Sequence, residues 1–114
     1  MKIGITSQNF RTITGHAGKT RRFLIYEVTD ANSVKEIDRL DLPKEMAMHS
    51  YRSAKPHPIT AVDILITGGC GEGFLRRMGS MGVQVIATAE KDPLDAIQTL
   101  IAGEALPPPE PHDH

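Results

Sequence analysis

A single cysteine, no tryptophan, two tyrosines and three phenylalanines make this 114-residue chain poor in the residues that build disulfide scaffolds and aromatic cores. One cysteine cannot form an internal disulfide, which points away from small secreted domains and towards a reducing, cytoplasmic setting. Neither sign of charge is in excess. With 13 basic and 14 acidic residues the net charge is −1, so nothing electrostatic calls for a nucleic-acid partner. No apolar run approaches the ~20 residues of a membrane-spanning helix, and the residues after Met1 lack the apolar core of a signal peptide. The remaining composition, 39% hydrophobic and 24% charged, is that of one ordinary soluble domain.

The richest stretch is 61–88, AVDILITGGCGEGFLRRMGSMGVQVIAT. A β-branched run (Val62, Ile64, Leu65, Ile66) ends in the glycine-rich turn 68–73. An amphipathic segment with Phe74, Leu75 and Met78 follows, and a second apolar run begins at Val83. Strand, turn, helix, strand is the order of a parallel βαβ unit. Cys70, the only cysteine, sits in the turn, where helix amides and the helix dipole favour negative charge. A thiolate there is expected to have a depressed pKa, and a thiolate or an anionic ligand to be stabilised. The alternative is a small apolar residue filling the turn.

Upstream, residues 2–7 (KIGITS) read as a short strand and 8–20 as a polar, ordered loop. Residues 21–29 are dense in aromatic and β-branched side chains and read as a strand. After a turn at 30–33, residues 34–42 read as its antiparallel hairpin partner, although VKEIDRL also satisfies helical spacing. Pro43 opens a short helix expected over 44–51, followed by a loop over 52–58. Asp92 as cap and Pro93 at the first position start a last helix with Leu94, Ile97, Leu100 and Ile101 on one face, and Gly103 stops it. The proline-rich remainder, ALPPPEPHDH, is expected to be disordered or extended. One domain over 1–103 and a tail over 104–114 result. The predicted fold is α/β: a five-stranded mixed sheet flanked by helices.

His16 lies in Thr14-Gly15-His16-Ala17-Gly18-Lys19. The flanking glycines allow a tight turn that leaves the imidazole exposed, as a metal ligand, a hydrogen-bond donor to a bound ligand, or a loop histidine bonded to a carbonyl. Lys19, Arg21 and Arg22 follow and could offset an anionic ligand's charge, or simply be solvated. His49, beside Met46 and Met48, and His57, between prolines, could converge on the sheet's carboxyl edge, where open α/β sheets bind ligands. Surface histidines are the plainer reading. His112 and His114 read as solvated tail, with metal binding as the alternative.

Two pieces of the chain, FRTITGHAGKTRRF (10–23) and DILITGGCGEGFLRRMGSMGVQVIA (63–87), resemble the dinitrogenase iron–molybdenum cofactor biosynthesis family. That family comprises NifX-like carriers and the C-terminal domain of NifB. The first piece is similar to the family's HxGxxxxF loop, and the second to its strand, glycine turn, helix and strand. The similarity spans roughly residues 1–102. It implies a ribonuclease H-like fold and a non-enzymatic role in binding or carrying an iron–sulfur precursor of the cofactor. The histidine-rich stretch that some members carry is reduced here to His49 and His57. The expected contact group is therefore His16, Gly18 and Lys19 of one loop with Gly69, Cys70 and Gly71 of the other. His16, Cys70 and His49 are the expected metal ligands. Implied partners are the cofactor-synthesis and scaffold proteins of the nitrogenase pathway, met by a monomer or weak homodimer.

A conventional iron–sulfur cluster wants four protein ligands, which one cysteine cannot supply. A transiently carried cluster with its own sulfides could need only one or two. The competing readings are weaker. A nuclease of this fold needs converging carboxylates on two metal ions, and residues 2–7 contain none, while Asp63 and Glu72 lack obvious partners. A regulatory domain binding a nucleotide or small anion would use the glycine turn. That turn is no Walker loop, and Glu72 within it repels phosphate.

Overall fold

The computed structural model describes residues 1–30, 33–47 and 57–109. Five strands, β1 (Lys2–Thr6), β2 (Arg22–Asp30), β3 (Ser33–Asp41), β4 (Ile64–Thr67) and β5 (Gln84–Ala87), form one sheet in the order β3-β2-β1-β4-β5. Pairing is antiparallel from β3 through β2 to β1 and parallel from β1 through β4 to β5. The mixed sheet and the βαβ unit expected from the sequence are both present. Helix α1 (Glu72–Ser80) joins β4 to β5, and α2 (Pro93–Ile101) follows β5.

The period-two alternation of strand side chains divides the interior into two cores. Ile3 and Ile5 of β1, Leu24, Tyr26 and Val28 of β2 and Ile66 of β4 pack with Ala96 and Ile97 of α2. On the other face, Phe23, Ile25 and Leu65 pack with Met78 of α1 and with Ile59, Val62 and Val83. Gly4 lies at the centre of this second face. A Cβ there would stand 3.0 Å from Ile59 Cδ1 and 3.2 Å from Leu65 Cδ1, so the bare backbone lets the single-turn 3-10 helix Pro58–Ala61 press on the sheet.

The hairpin alternative for residues 34–42 is the one realised. Sheet pairing with the strongly β-forming β2 overrides the helical spacing of VKEIDRL. Ile25 pairs with Asp38 and Tyr26 with Glu36, so Ile37 is the extra residue of a bulge and stands 46% exposed. The helix expected over 44–51 is not formed across its described part. Only one 3-10 turn, Lys44–Met46, follows Pro43, and Ala47 is already extended with ψ 139°. The physical cause is tertiary: His57 Nε2 lies 2.6 Å from the Met46 carbonyl oxygen, which draws the chain away from a helical course. Residues 48–51 lie outside the described residues.

Helix α2 begins as the sequence predicts, with the Asp92 carboxylate accepting from the Asp95 amide at 3.0 Å and Pro93 in the first turn. Its buried face differs in one place. Leu94 is 49% exposed, while Pro93, Ala96 and Ile97 are buried. Gly103 follows with φ +77°, a left-handed conformation that ends helices readily. Beyond it, residues 104–109 are not idle: Leu106 packs against the α2-side core, and the Pro107 carbonyl accepts a 2.7 Å hydrogen bond from Thr88 Oγ1.

Candidate functional site

Because β1, β4 and β5 are parallel, the segments that follow them, 7–21, 68–71 and 88–92, emerge at one end of the sheet. In open α/β sheets this carboxyl end, near the point where strand order reverses, is where ligands bind. Here the crevice between β1 and β4 is filled by the protein's own backbone. The Thr14 carbonyl accepts from Thr6 Oγ1 at 2.6 Å and from the Gly68 amide at 2.9 Å, while the Thr14 amide donates to the Thr6 carbonyl at 2.9 Å. A ligand at this end therefore meets the outer surface of the loops.

Two of these loops carry the histidine and the cysteine singled out by sequence. The Ala17 amide donates to the Gly69 carbonyl at 3.1 Å, so the residue after His16 is joined directly to the residue before Cys70. Gly68 permits this approach. A Cβ at Gly68 would lie 3.1 Å from both Gly15 N and Thr14 C, and those atoms are backbone that has no rotamer to change. Sequence reasoning placed the turn's freedom in Gly15 and Gly18. The left-handed residue of this turn is His16 itself, at φ 55° and ψ 52°, just before the 3-10 turn Ala17–Lys19. Histidine is among the residues that tolerate this region, at a cost of about 1–2 kcal/mol relative to ordinary backbone. His16 and Lys19 are exposed, Gly18 and Cys70 half-buried, Gly69 buried and Gly71 exposed.

Cys70 departs from expectation in its chemistry. Burial pushes its thiol up from the ordinary value. Cys70 precedes Gly71, the N-cap of α1, so it stands outside the first turn whose amides concentrate the dipole, and desolvation wins. The thiol is the resting form, and a ligand metal would have to displace its proton. Around it the surface is open: a Cβ at Gly71 or Gly73 would meet no atom within 4 Å. Glu72, between them, places a carboxylate in the first turn of α1.

The other candidates separate from this pair. His57 is 3% exposed; its Nδ1 accepts from the Ile59 amide at 3.1 Å and its ring meets Phe23 edge-on at 6.2 Å. Burial lowers its pKa. It is a structural histidine of the approach to β4. Arg21 and Arg22 both reach Asp41 Oδ1, at 2.8 and 3.1 Å, and so brace the β2–β3 pair. His49, His112 and His114 lie outside the described residues. Among the described residues, no three His, Cys, Asp or Glu side chains converge to hold a metal ion on their own.

What the sequence reading missed is a set of buried hydroxyls. Thr6, Ser7, Thr20, Thr67 and Thr88 are all fully buried at this end of the sheet. Thr20 Oγ1 lies 3.2 Å from the His16 carbonyl, Ser7 Oγ donates to the Thr12 carbonyl at 2.7 Å, and Thr67 Oγ1 lies 3.2 Å from the Gly69 carbonyl. A recurrent signal was present. Each of three apolar runs closes on a threonine: GIT, LIT and IAT.

The strand order and two-sided cores define a small mixed α/β protein whose candidate site loops lie at the carboxyl edge of its parallel strands. Solved structures share this fold. A protein solved under the name PH0822 superposes with a TM-score of 0.70 at 19% identity, over 91% of this chain and 93% of that one. The NMR structure of a candidate NifB protein from Thermotoga (TM1290), assigned to the DUF35 family, gives a TM-score of 0.57 at 13% identity, over 99% and 97% of the two chains. No curated protein matches the chain significantly. Residues 1–103 match the family described as dinitrogenase iron–molybdenum cofactor, and the chain belongs to that family.

Proposed function

We propose that this protein is a non-enzymatic carrier of a preassembled, anionic iron–sulfur precursor of the iron–molybdenum cofactor. Cargo would be held at the carboxyl edge by His16 and Cys70, with Gly18, Lys19, Gly69 and Gly71 forming the surface around them. The observation that carries this reading is the Ala17–Gly69 hydrogen bond, which sets an exposed imidazole loop against a half-buried thiol. Imidazole with thiolate is a donor pair suited to iron. The open surface beside Gly71 and Gly73 suits a bulky cargo resting outside the fold. The strand order, with β2 running against its neighbours, supports a ribonuclease H-like reading of the sheet. Threonines rather than carboxylates close β1 and β4 and follow β5, which argues against two-metal nuclease chemistry. Cargo handled this way belongs to a reducing cytoplasm and to partners that make and receive the precursor.

The test is anaerobic titration of the intact chain with a preassembled, thiolate-ligated iron–sulfur cluster, read by visible absorbance and iron content after unbound cluster is removed. The wild type is expected to gain a brown chromophore that His16→Ala and Cys70→Ala each weaken. Because the Cys70 thiol is held protonated, uptake is expected to strengthen as pH rises, by up to ~10-fold per unit below the thiol pKa. Iron bound equally well by Cys70→Ala would remove the reading.

A further inference from the structure

A valine would match the shape and burial of Thr67 at the end of a central strand, yet a hydroxyl stands there with no exposure. A buried hydroxyl is costly unless it is bonded, and this one is bonded only to loop fasteners. Thr67 Oγ1 lies 2.9 Å from Thr6 Oγ1, 3.2 Å from the Gly69 carbonyl, 3.3 Å from the Thr14 carbonyl and 3.4 Å from the Gly69 amide. Each hydroxyl has one hydrogen. With Thr6 donating to the Thr14 carbonyl at 2.6 Å, Thr67 gives its hydrogen to Gly69, Thr14 or Thr6 and accepts with its two lone pairs. Its contacts thus reach both loops: the Thr14 side that leads into His16, and the Gly69 peptide that leads into Cys70. Gly69 is also the residue whose carbonyl takes the Ala17 amide.

We infer that Thr67 is a positioning residue, whose hydroxyl sets the spacing between the His16 loop and the Cys70 turn so that both donors can engage one metal. This rests on the carrier reading for its function, but the spacing itself can be measured without cargo. Two donors held at the right separation bind as a chelate; donors whose loops drift apart bind as two weak single sites.

The experiment compares Thr67→Val, Thr67→Ser and Thr88→Val in the intact chain. Thr88 is equally buried, but its hydroxyl fastens Pro107 and Glu90 rather than these two loops. Hydrogen exchange of the Ala17 amide reads the spacing, and cobaltous ion titrated anaerobically, followed by its thiolate charge-transfer band, reads chelation. Thr67→Val is expected to speed Ala17 exchange about tenfold while β2 amides keep their protection. The same change is expected to weaken cobalt binding about tenfold. Thr67→Ser restores both, and Thr88→Val leaves both unchanged. Should Thr67→Val not fold, Thr6→Val removes the neighbouring hydroxyl and is expected to act in the same direction. Unchanged Ala17 exchange in Thr67→Val, or an equal loss of cobalt in Thr88→Val, overturns the inference. If the wild type gives no thiolate–cobalt band while Ala17 exchange responds as stated, the carrier reading fails and the control of spacing by Thr67 stands.

Discussion

His16 and His57 sit in loops that look alike in sequence, each flanked by helix-breaking residues, and the structure uses them in opposite ways. His57 is 3% exposed, takes the Ile59 amide at Nδ1 and the Met46 carbonyl at Nε2, and is held neutral by burial. His16 is exposed, in a left-handed backbone that no side-chain cap supports. One imidazole joins the 3-10 turns before β4; the other stands exposed on a backbone that costs energy. An exposed histidine held in a left-handed backbone is the one to suspect of a role outside the fold.

The sharpest way to break this contrast is to truncate both. His57→Ala would strand a buried amide and a buried carbonyl and leave a gap beside Phe23, for an expected loss of about 2–4 kcal/mol. Thermal melting would register this as a fall of roughly 10 °C or more, whereas His16→Ala should stay within about 0.5 kcal/mol of the parent. Protonation offers a second reading of the same residue. Its folded pKa lies below the ordinary 6.5, so its stabilising contribution is full above that pH and is lost as pH falls towards the folded value. Denaturant titrations between pH 7 and 4.5 should show this decline, and a His57→Gln chain should show less of it. Equal slopes for the two chains would mean that other groups dominate.

The next effect in size lies on the His16 side. Gly68→Ala puts a methyl 3.1 Å from Thr14 and Gly15 backbone atoms. About 1–3 kcal/mol is the expected cost of that overpacking, with iron uptake falling as the two loops separate. Stability lost without any change in uptake would place the cargo elsewhere. The smallest effect has the opposite sign. His16→Gly relieves the left-handed strain and should raise stability by about 1 kcal/mol in urea unfolding while weakening iron capture. A variant that is more stable and less competent would show directly that the histidine is retained for binding.

Much of the architecture was legible because strong local signals agreed with the global fold. The β-branched runs, the Asp92-Pro93 start and the glycine-punctuated βαβ unit all pointed one way. The hairpin was the ambiguous case, decided by the pairing partner rather than by the residues of β3. The site was half legible. Its two loops are marked by glycine, histidine and cysteine, but the tight turn credited to the flanking glycines takes its left-handed backbone at His16. The threonine fasteners were hidden because threonine is also a good strand former, and propensity alone does not say that a hydroxyl is bonded. Likewise, the thiol's direction of shift depends on burial and on its offset from the helix start, neither of which a motif reveals.

The family match ends at Gly103, but the packing does not. Leu106 shields part of the α2-side core, and the Pro107 carbonyl takes the hydrogen of the buried Thr88 hydroxyl just after β5. Cutting the chain at the family boundary would therefore shave off a strap that the remaining hundred-odd residues have no substitute for. The margin of the fold is drawn by its packing, a few residues beyond the end of the family match.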